Sequence, residues 1–262
     1  MGKKWKNAPV MYTVAQVRFN QILTMESFVP NIQERIRASG FPDYRKEVIN
    51  SFSFPLSQTD GNVPVMQFVS RHVFGNTQGT AGFILENNAM SFQTTEYDVF
   101  ETFLESFLNA ISIVNGQVGI DYIERIGIRY LDAVMPRAGE ELPDYLVKEV
   151  LGMTFKIVGE LSHSYTETVS SNSVGGLIAR IIIRDSGISL PPEIAQSAYD
   201  LNSNFNQFKG LHAIIDTDGY YEVRTAFDID AVAKKLNDLH EEIAKSFKAA
   251  ASPQALKIWE LG

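Results

Sequence analysis

Two hydrophobic rhythms alternate along the chain. Residues 12–20 place Ala15, Val17 and Phe19 on one side and Gln16, Arg18 and Asn20 on the other; this period of two predicts a strand with one buried face. Residues 24–39 change to helical spacing, with Val29, Ile32 and Ile36 on one face and Gly40 as the stop. Pro30 is expected in the first turn of that helix, where a missing N–H is harmless. Runs at 48–54, 65–74, 80–85 and 89–94 predict strands, broken by Thr59-Asp60-Gly61-Asn62 and Asn87-Asn88. A second helix is predicted from Asp98, with Glu101 completing a capping box. Its Phe100, Phe103, Leu104, Phe107, Leu108 and Ile111 form a broad apolar stripe ending near Asn115-Gly116.

The same order returns after residue 119. A strand is predicted at 123–134, a short helix at 142–151 stopped by Gly152, and strands at 155–169, 177–185 and 211–217. A long helix then starts from a capping Asp228 and carries Val232, Leu236, Leu239, Ile243 and Phe247. Its outer face offers Asp230 to Lys234 and Glu241 to Lys245, both in the favourable i,i+4 order. The opening strands share a local pattern, Val17-Arg18-Phe19 against Ile128-Arg129-Tyr130. The expected fold is therefore α+β, in two similar strand–helix–antiparallel sheet–helix halves at 1–119 and 120–262. Joined as a TATA-binding-protein-like pseudo-duplication, they would form one curved sheet with helices on one side. Residues 186–209, with Pro191-Pro192 and Asn202-Ser203-Asn204, interrupt the second half as an insertion suited to a lid or partner-binding surface.

Composition narrows the function classes. The formal charge of −8 opposes non-specific attraction to nucleic acid and anionic membranes, although a local basic groove is compatible with it. The absence of cysteine removes disulfides, thiolate nucleophiles and cysteine-ligated metals. No apolar segment follows the lysines of MGKKWKNAPV, and Lys6 stands where a myristoylation motif needs Ser or Thr, so a cytoplasmic location is expected. No apolar run reaches the roughly 18 residues that a spanning helix needs, so no membrane partner is expected.

No GxSxG elbow, Walker loop, HExxH or strand-following GxGxxG is present, so no catalytic residue, cofactor or metal is assigned. The glycines of 75–79 and Gly175-Gly176 read as hairpin turns. Of the four histidines, His240 is expected on the solvated side of the last helix. His163 shares a strand side with Glu167, and His212 shares one with Asp216 and Asp218. Adjacent strands would make these a divalent-metal cluster.

The polar side of the sheet says more. Arg125, Arg129, Arg180 and Arg184 alternate with apolar residues; Arg18 is expected beside them, as are Glu160, Ser162, Ser164 and Thr166. Long helices covering that side would bury charge at several kcal/mol, so an open face is expected. Guanidinium forks suit phosphate or carboxylate. Cross-strand pairing with Glu124, Glu160, Asp185 and Asp216 is the alternative. Phe92, Tyr220 and Tyr221 are either base-stacking platforms or ordinary packing aromatics, and Trp5 and Trp259 are expected to pin the ends of the chain to the body.

The stretches KNAPVMYTVAQVRFN, GFILENNAMSFQTTEYD, YIERIGIRYLDAV, LIARIIIRD, LHAIIDTD and the ending from FDIDAVAKKLNDLHEEIAKSF resemble, in order and spacing, a sporadically distributed family of uncharacterised bacterial proteins. The resemblance covers residues 4–260 and implies a bacterial cytosolic protein of accessory, phage-defence or toxin-control neighbourhoods. It supplies no catalytic residues. The expected function is non-catalytic recognition of a protein partner or anionic small ligand through Arg18, Arg125, Arg129, Glu160, Arg180, Arg184 and Asp216. The alternative is a nuclease or nucleotide-processing enzyme with His163 or His212 as general acid/base and Arg129, Arg180 and Arg184 on phosphate. A structural subunit of an oligomer is a third reading.

Overall fold

Antiparallel pairing runs through the whole structure, a computed structural model that describes residues 5–53, 65–195 and 199–261. The first part of the chain supplies β1 (Val10–Phe19), α1 (Met25–Ala38), β2 (Asp43–Ser53), β3 (Val65–Gly75), β4 (Ala81–Leu85), β5 (Ala89–Thr94) and α2 (Phe100–Val118). The second supplies β6 (Tyr122–Val134), α3 (Leu142–Tyr145), β7 (His163–Ser171) and β8 (Gly176–Gly187). It continues through α4 (Pro192–Ala195), α5 (Ser203–Asn206), β9 (Lys209–Tyr221), β10 (Thr225–Ala226), α6 (Ile229–Ala250) and α7 (Pro253–Leu261). The described strands join one curved, unclosed sheet of order β2-β3-β4-β5-β1-β6-β9-β8-β7, with β10 on β6. The α+β expectation is met.

One face of the sheet carries the long helices. Ile32 and Ile36 of α1, Phe103, Phe107 and Ile111 of α2, and Leu236, Leu239 and Ile243 of α6 close over Ala15, Val17, Phe83, Phe92, Ile126 and Ile128. Each such side chain contributes roughly 1.5–3 kcal/mol by leaving water. Asp228 caps α6 as expected, accepting from the N–H groups of Asp230 and Ala231. The helix-surface pairs differ from the expected ones: Lys234 meets Asp238 and Lys245 meets Glu242. A second core joins α3, α7 and the end of α6 to β8 and β9. Here Trp259 packs against Tyr145 and Phe247, and Trp5 against Phe247, as expected for residues pinning the ends.

Local expectations change where tertiary contacts outweigh pattern. α2 starts at Phe100 behind an extended Val99, and no side chain caps it, so the Asp98–Glu101 box does not form. Pro30 lies inside α1 beyond the first turn, on an exposed side, where the carbonyl it leaves without a donor can meet water. The helix expected at 142–151 breaks after Tyr145, because Leu146 bridges to Ala251, and resumes as a 3-10 turn at Lys148–Val150. β7 begins only at His163, after turns and bends. The turn at Thr59–Asn62 lies outside the described residues.

The opposite face is only partly open. Residues of the 186–209 insertion, among them Ile188, Ile194, Leu201 and Phe205, cover an apolar patch of Met11, Leu131, Ala133 and Ile214. Tyr199 extends the cover to the first half. A Cβ on Gly75 would stand 2.7 Å from its hydroxyl oxygen, and one on Gly82 only 2.2 Å away. The patch explains why a polar-looking insertion settles here: the apolar ends of β6 and β9 need shelter, while the arginines lie beside it. Among the described residues no helix is long and apolar enough to cross a membrane.

Candidate functional site

Strand register assembles the arginine cleft. Arg129 on β6 lies opposite Asp218 on β9. Arg180 on β8 lies opposite Asp216 on β9 and Glu167 on β7, and Arg184 lies opposite His212 and His163. Period-two alternation puts these side chains on the face away from the long helices.

Asp216 organises the group. Arg129 donates to both its oxygens, Nε to Oδ1 at 2.7 Å and Nη2 to Oδ2 at 2.6 Å. The same Nη2 reaches Glu193 of the insertion at 3.0 Å. Arg180 donates from Nε to Glu167 at 2.7 Å and from Nη1 to Asp216 at 3.5 Å. Burial alone would lower the Arg129 pKa, but its hydrogen bonds and proximity to Asp216 and Glu193 reverse this and hold it well above the ordinary value. Burial raises the Asp218 carboxyl, with Arg125 and Arg129 opposing.

The resulting cavity, about 300 Å³, has Arg129, Arg180, Arg184, His212 and Asp216 on the sheet side and Ser189, Pro191 and Glu193 on the insertion side. Arg184 enters no ion pair among the described residues. His212 is buried, and its Nδ1 stands 2.9 Å from the Gly210 carbonyl. A carbonyl only accepts, so Nδ1 carries the proton and Nε2 the lone pair. Burial lowers the His212 pKa and keeps the ring neutral at pH 7.

Arg125, Arg129 and Arg180 form cross-strand ion pairs, whereas Arg184 faces the cleft with no ion pair among the described residues. Arg125 pairs with Asp218 and Glu222 and lies over the Tyr220 ring, outside the cleft. Arg18 lies opposite Arg125 across β1 and β6, exposed and also away from the cleft. Glu160 sits in the loop before β7, exposed and outside the site. Ser164 and Thr166 fall opposite Ile183 and Ile181, so their side is that of the helices; His163, Tyr165 and Glu167 face the arginines instead. The expected pairing partners Glu124 and Asp185 do not join: Glu124 pairs with Arg224. β8 separates β7 from β9, so His163 and His212 stand roughly 10 Å apart by strand spacing. Among the described residues no His, Asp and Glu group could hold a metal. Phe92 is core, and Tyr221 lies beneath Lys235 Nζ at 4.0 Å.

Two residues on the other face carry chemistry that the sequence reading placed elsewhere or passed over. His240, expected in solvent, stacks on Phe100 at 4.0 Å and 3° and lies 2.9 Å from the Tyr130 hydroxyl. Burial pushes its pKa down to about 4. Asp132 is buried, and burial, with Asp216 adding, pushes its carboxyl up to about 8. Its signal was in the pattern: Asp132 falls in the inward rank of Ile126, Ile128, Tyr130 and Val134. No protein-family model matches the chain, and no curated protein matches it.

Proposed function

We propose that this chain is a non-catalytic recognition protein whose cleft between β6, β8, β9 and the 186–209 insertion takes a phosphate or carboxylate group of a small ligand or protein partner. The observation that carries the reading is Arg184. It is a guanidinium without an ion pair among the described residues, beside Arg129 and Arg180 already fixed by a buried Asp216. Fixed guanidinium groups need little further ordering to accept an anion, and charge-assisted bonds to them are strong. Glu193 occupies the cleft's edge on a 60 % exposed side chain and is the group an incoming anion would displace. Bacterial accessory systems of the defence or toxin-control kind, in the cytosol, are the setting that the family resemblance suggests.

The duplication reading belongs to the same proposal. β1 and β6 open the two halves and pair at the centre; β5 and β9, the strands nearest the long helices in sequence, flank them; the remaining strands run outward in reverse order. This order supports a TATA-binding-protein-like pseudo-duplication. A second reading, nucleotide processing, draws on the neutral His212 with a bare Nε2 beside Arg184.

Purification of tagged wild-type and Arg184→Gln protein from the native host, with mass spectrometry of co-purifying proteins and small molecules, tests the proposal. An anionic ligand or acidic partner retained by wild type and lost from the variant supports it; identical recoveries overturn it. His212→Asn should leave that association intact, whereas an enzyme would lose turnover.

A further inference from the structure

The helix-bearing face contains a cavity of about 420 Å³ between the start of α2, the middle of α6, β6 and the N-terminal strap at residues 5–10. Trp5, Tyr97, Phe100, Tyr130 and Phe247 supply aromatic walls. Asp132 projects into this enclosure with only 5 % of its surface exposed, and its carboxyl has no hydrogen-bond or ion-pair partner among the described residues. Buried polar groups are almost always partnered, and an isolated buried carboxyl is costly. A residue kept only for packing in the Ile126, Ile128, Tyr130, Val134 rank would be apolar. The nearby polar groups are otherwise engaged: Tyr130 bonds His240 on one side and approaches Tyr97 at 3.3 Å on the other.

The walls fix the sign of a complementary ligand. Asp132 offers a carboxyl enclosed among the rings of Tyr97, Phe100, Tyr130 and Phe247. The His240 ring is packed flat on Phe100, bonds Tyr130 and is neutral at pH 7, so it supplies no cation to hold an anion. An anion would meet the Asp132 carboxyl and the electron-rich faces of the rings. An organic cation would meet a carboxyl end and aromatic faces, the two surfaces that recognise ammonium groups.

We propose that this cavity is a binding site for a primary organic ammonium, with its charged nitrogen on the Asp132 carboxyl and its apolar body among the aromatic rings. The site is separate from the arginine cleft on the opposite face, and its success or failure does not depend on that reading. The neighbouring strap adds a route of entry. Ala8, Pro9, Val10, Tyr97 and Asp98 line both this cavity and a larger one of about 690 Å³ beyond it, so the two adjoin beneath the strap.

Binding is linked to a proton. The groups facing Asp132 are Tyr97 before α2, Asp98 and Glu101 at its start, Tyr130 on β6, and His240, Glu241 and Lys248 on α6; Asp216 acts from across the sheet. The empty site holds Asp132 protonated at pH 7, because its carboxyl is raised to about 8. An ammonium favours the carboxylate, so binding releases close to one proton and tightens as pH rises towards 8.

Calorimetric titration of the full chain with phenethylamine, phenethyl alcohol and 3-phenylpropionate, in two buffers of different ionisation enthalpy, tests the assignment. The amine should bind roughly tenfold or more tighter than the neutral alcohol, since a charge-assisted bond distinguishes them. The acid should bind least, and the amine alone should release about one proton at pH 7. Asp132→Asn, close in shape to the protonated carboxyl, should reduce the amine to the level of the alcohol and abolish proton release. Equal affinity for amine and alcohol, preference for the acid, or no binding of the amine to wild type overturns the proposal. The wild-type series decides it even where the variant does not fold.

Discussion

Replacing Asp216 by Asn removes the carboxylate that holds Arg129 through bonds of 2.7 and 2.6 Å and reaches Arg180 at 3.5 Å. The side chains are 1 %, 14 % and 19 % exposed, so solvent screens the pairs only in part. Taking one partner from a buried pair costs about 3–5 kcal/mol, because the other charge stays buried. Arg129 keeps Glu193 and Arg180 keeps Glu167, and these more exposed pairs offset about 0–1 kcal/mol each. The expected loss is therefore about 3 kcal/mol. For a chain of this size that lowers Tm by roughly 6–12 °C. Urea unfolding followed by circular dichroism should show a lower midpoint at unchanged slope. A cycle with Arg129→Gln separates pair from background, with the double variant about 2 kcal/mol better than the sum of the singles. A loss under about 1 kcal/mol, or singles additive within about 0.5 kcal/mol, refutes the brace.

Three further outcomes follow from the same structure. Asp132 is protonated in the folded chain up to pH about 8 but ionises near the ordinary carboxylate value when unfolded; its burial is therefore best tolerated below pH ~4, and folding stability falls by about 1.4 kcal/mol per unit as pH rises towards 8. Asp132→Asn should gain on wild type across that window in urea titrations at stepped pH; a constant difference contradicts it. His240 has the opposite sign: lowered to about 4, it contributes fully above its unfolded pKa, and that contribution is lost as pH falls towards 4. The histidine and aspartate slopes nearly cancel in wild type between roughly pH 4 and 6.5, so His240→Asn should leave only the Asp132 slope, with stability rising by about 1.4 kcal/mol per unit as pH falls through that range in urea titrations; a profile as flat as wild type contradicts it. Gly75→Ala should push the Tyr199 hydroxyl off β3, leaving the sheet folded but raising the rate of limited proteolysis within 186–209; unchanged cleavage contradicts the docking role of Tyr199.

Strong periodicities in the sequence marked the parts of the fold that bury one face by themselves. The alternation at Ala15, Val17 and Phe19 and the stripe from Val232 to Phe247 became β1 and α6 because each had a core to cover. The apolar residues at 155–158 misled for the opposite reason: Phe155, Ile157 and Val158 have strand-like chemistry, but they lie in exposed turns before β7. Starting that strand too early also reversed its parity and assigned Ser164 and Thr166 to the wrong face. His240 lies on the flank of its helix among polar neighbours, and the stacking of Phe100 from α2 on its ring leaves it half-buried. The arginines were legible as alternating positions; their grouping around Asp216 was not, because it depends on the register between strands distant in sequence. Asp132 could have been read from its place in an apolar rank.

The central claim, that the cleft beside Arg184 receives an anionic group, is tested most directly by titrating inorganic pyrophosphate into the ¹⁵N-labelled protein at low and high salt. Saturable shifts should concentrate at Arg184, Ser189, Glu193 and His212 and weaken at high salt. Arg184→Gln should abolish them while leaving the urea midpoint unchanged, since that guanidinium holds no ion pair among the described residues. Shifts that avoid the cleft, or that survive Arg184→Gln unaltered, would contradict the account.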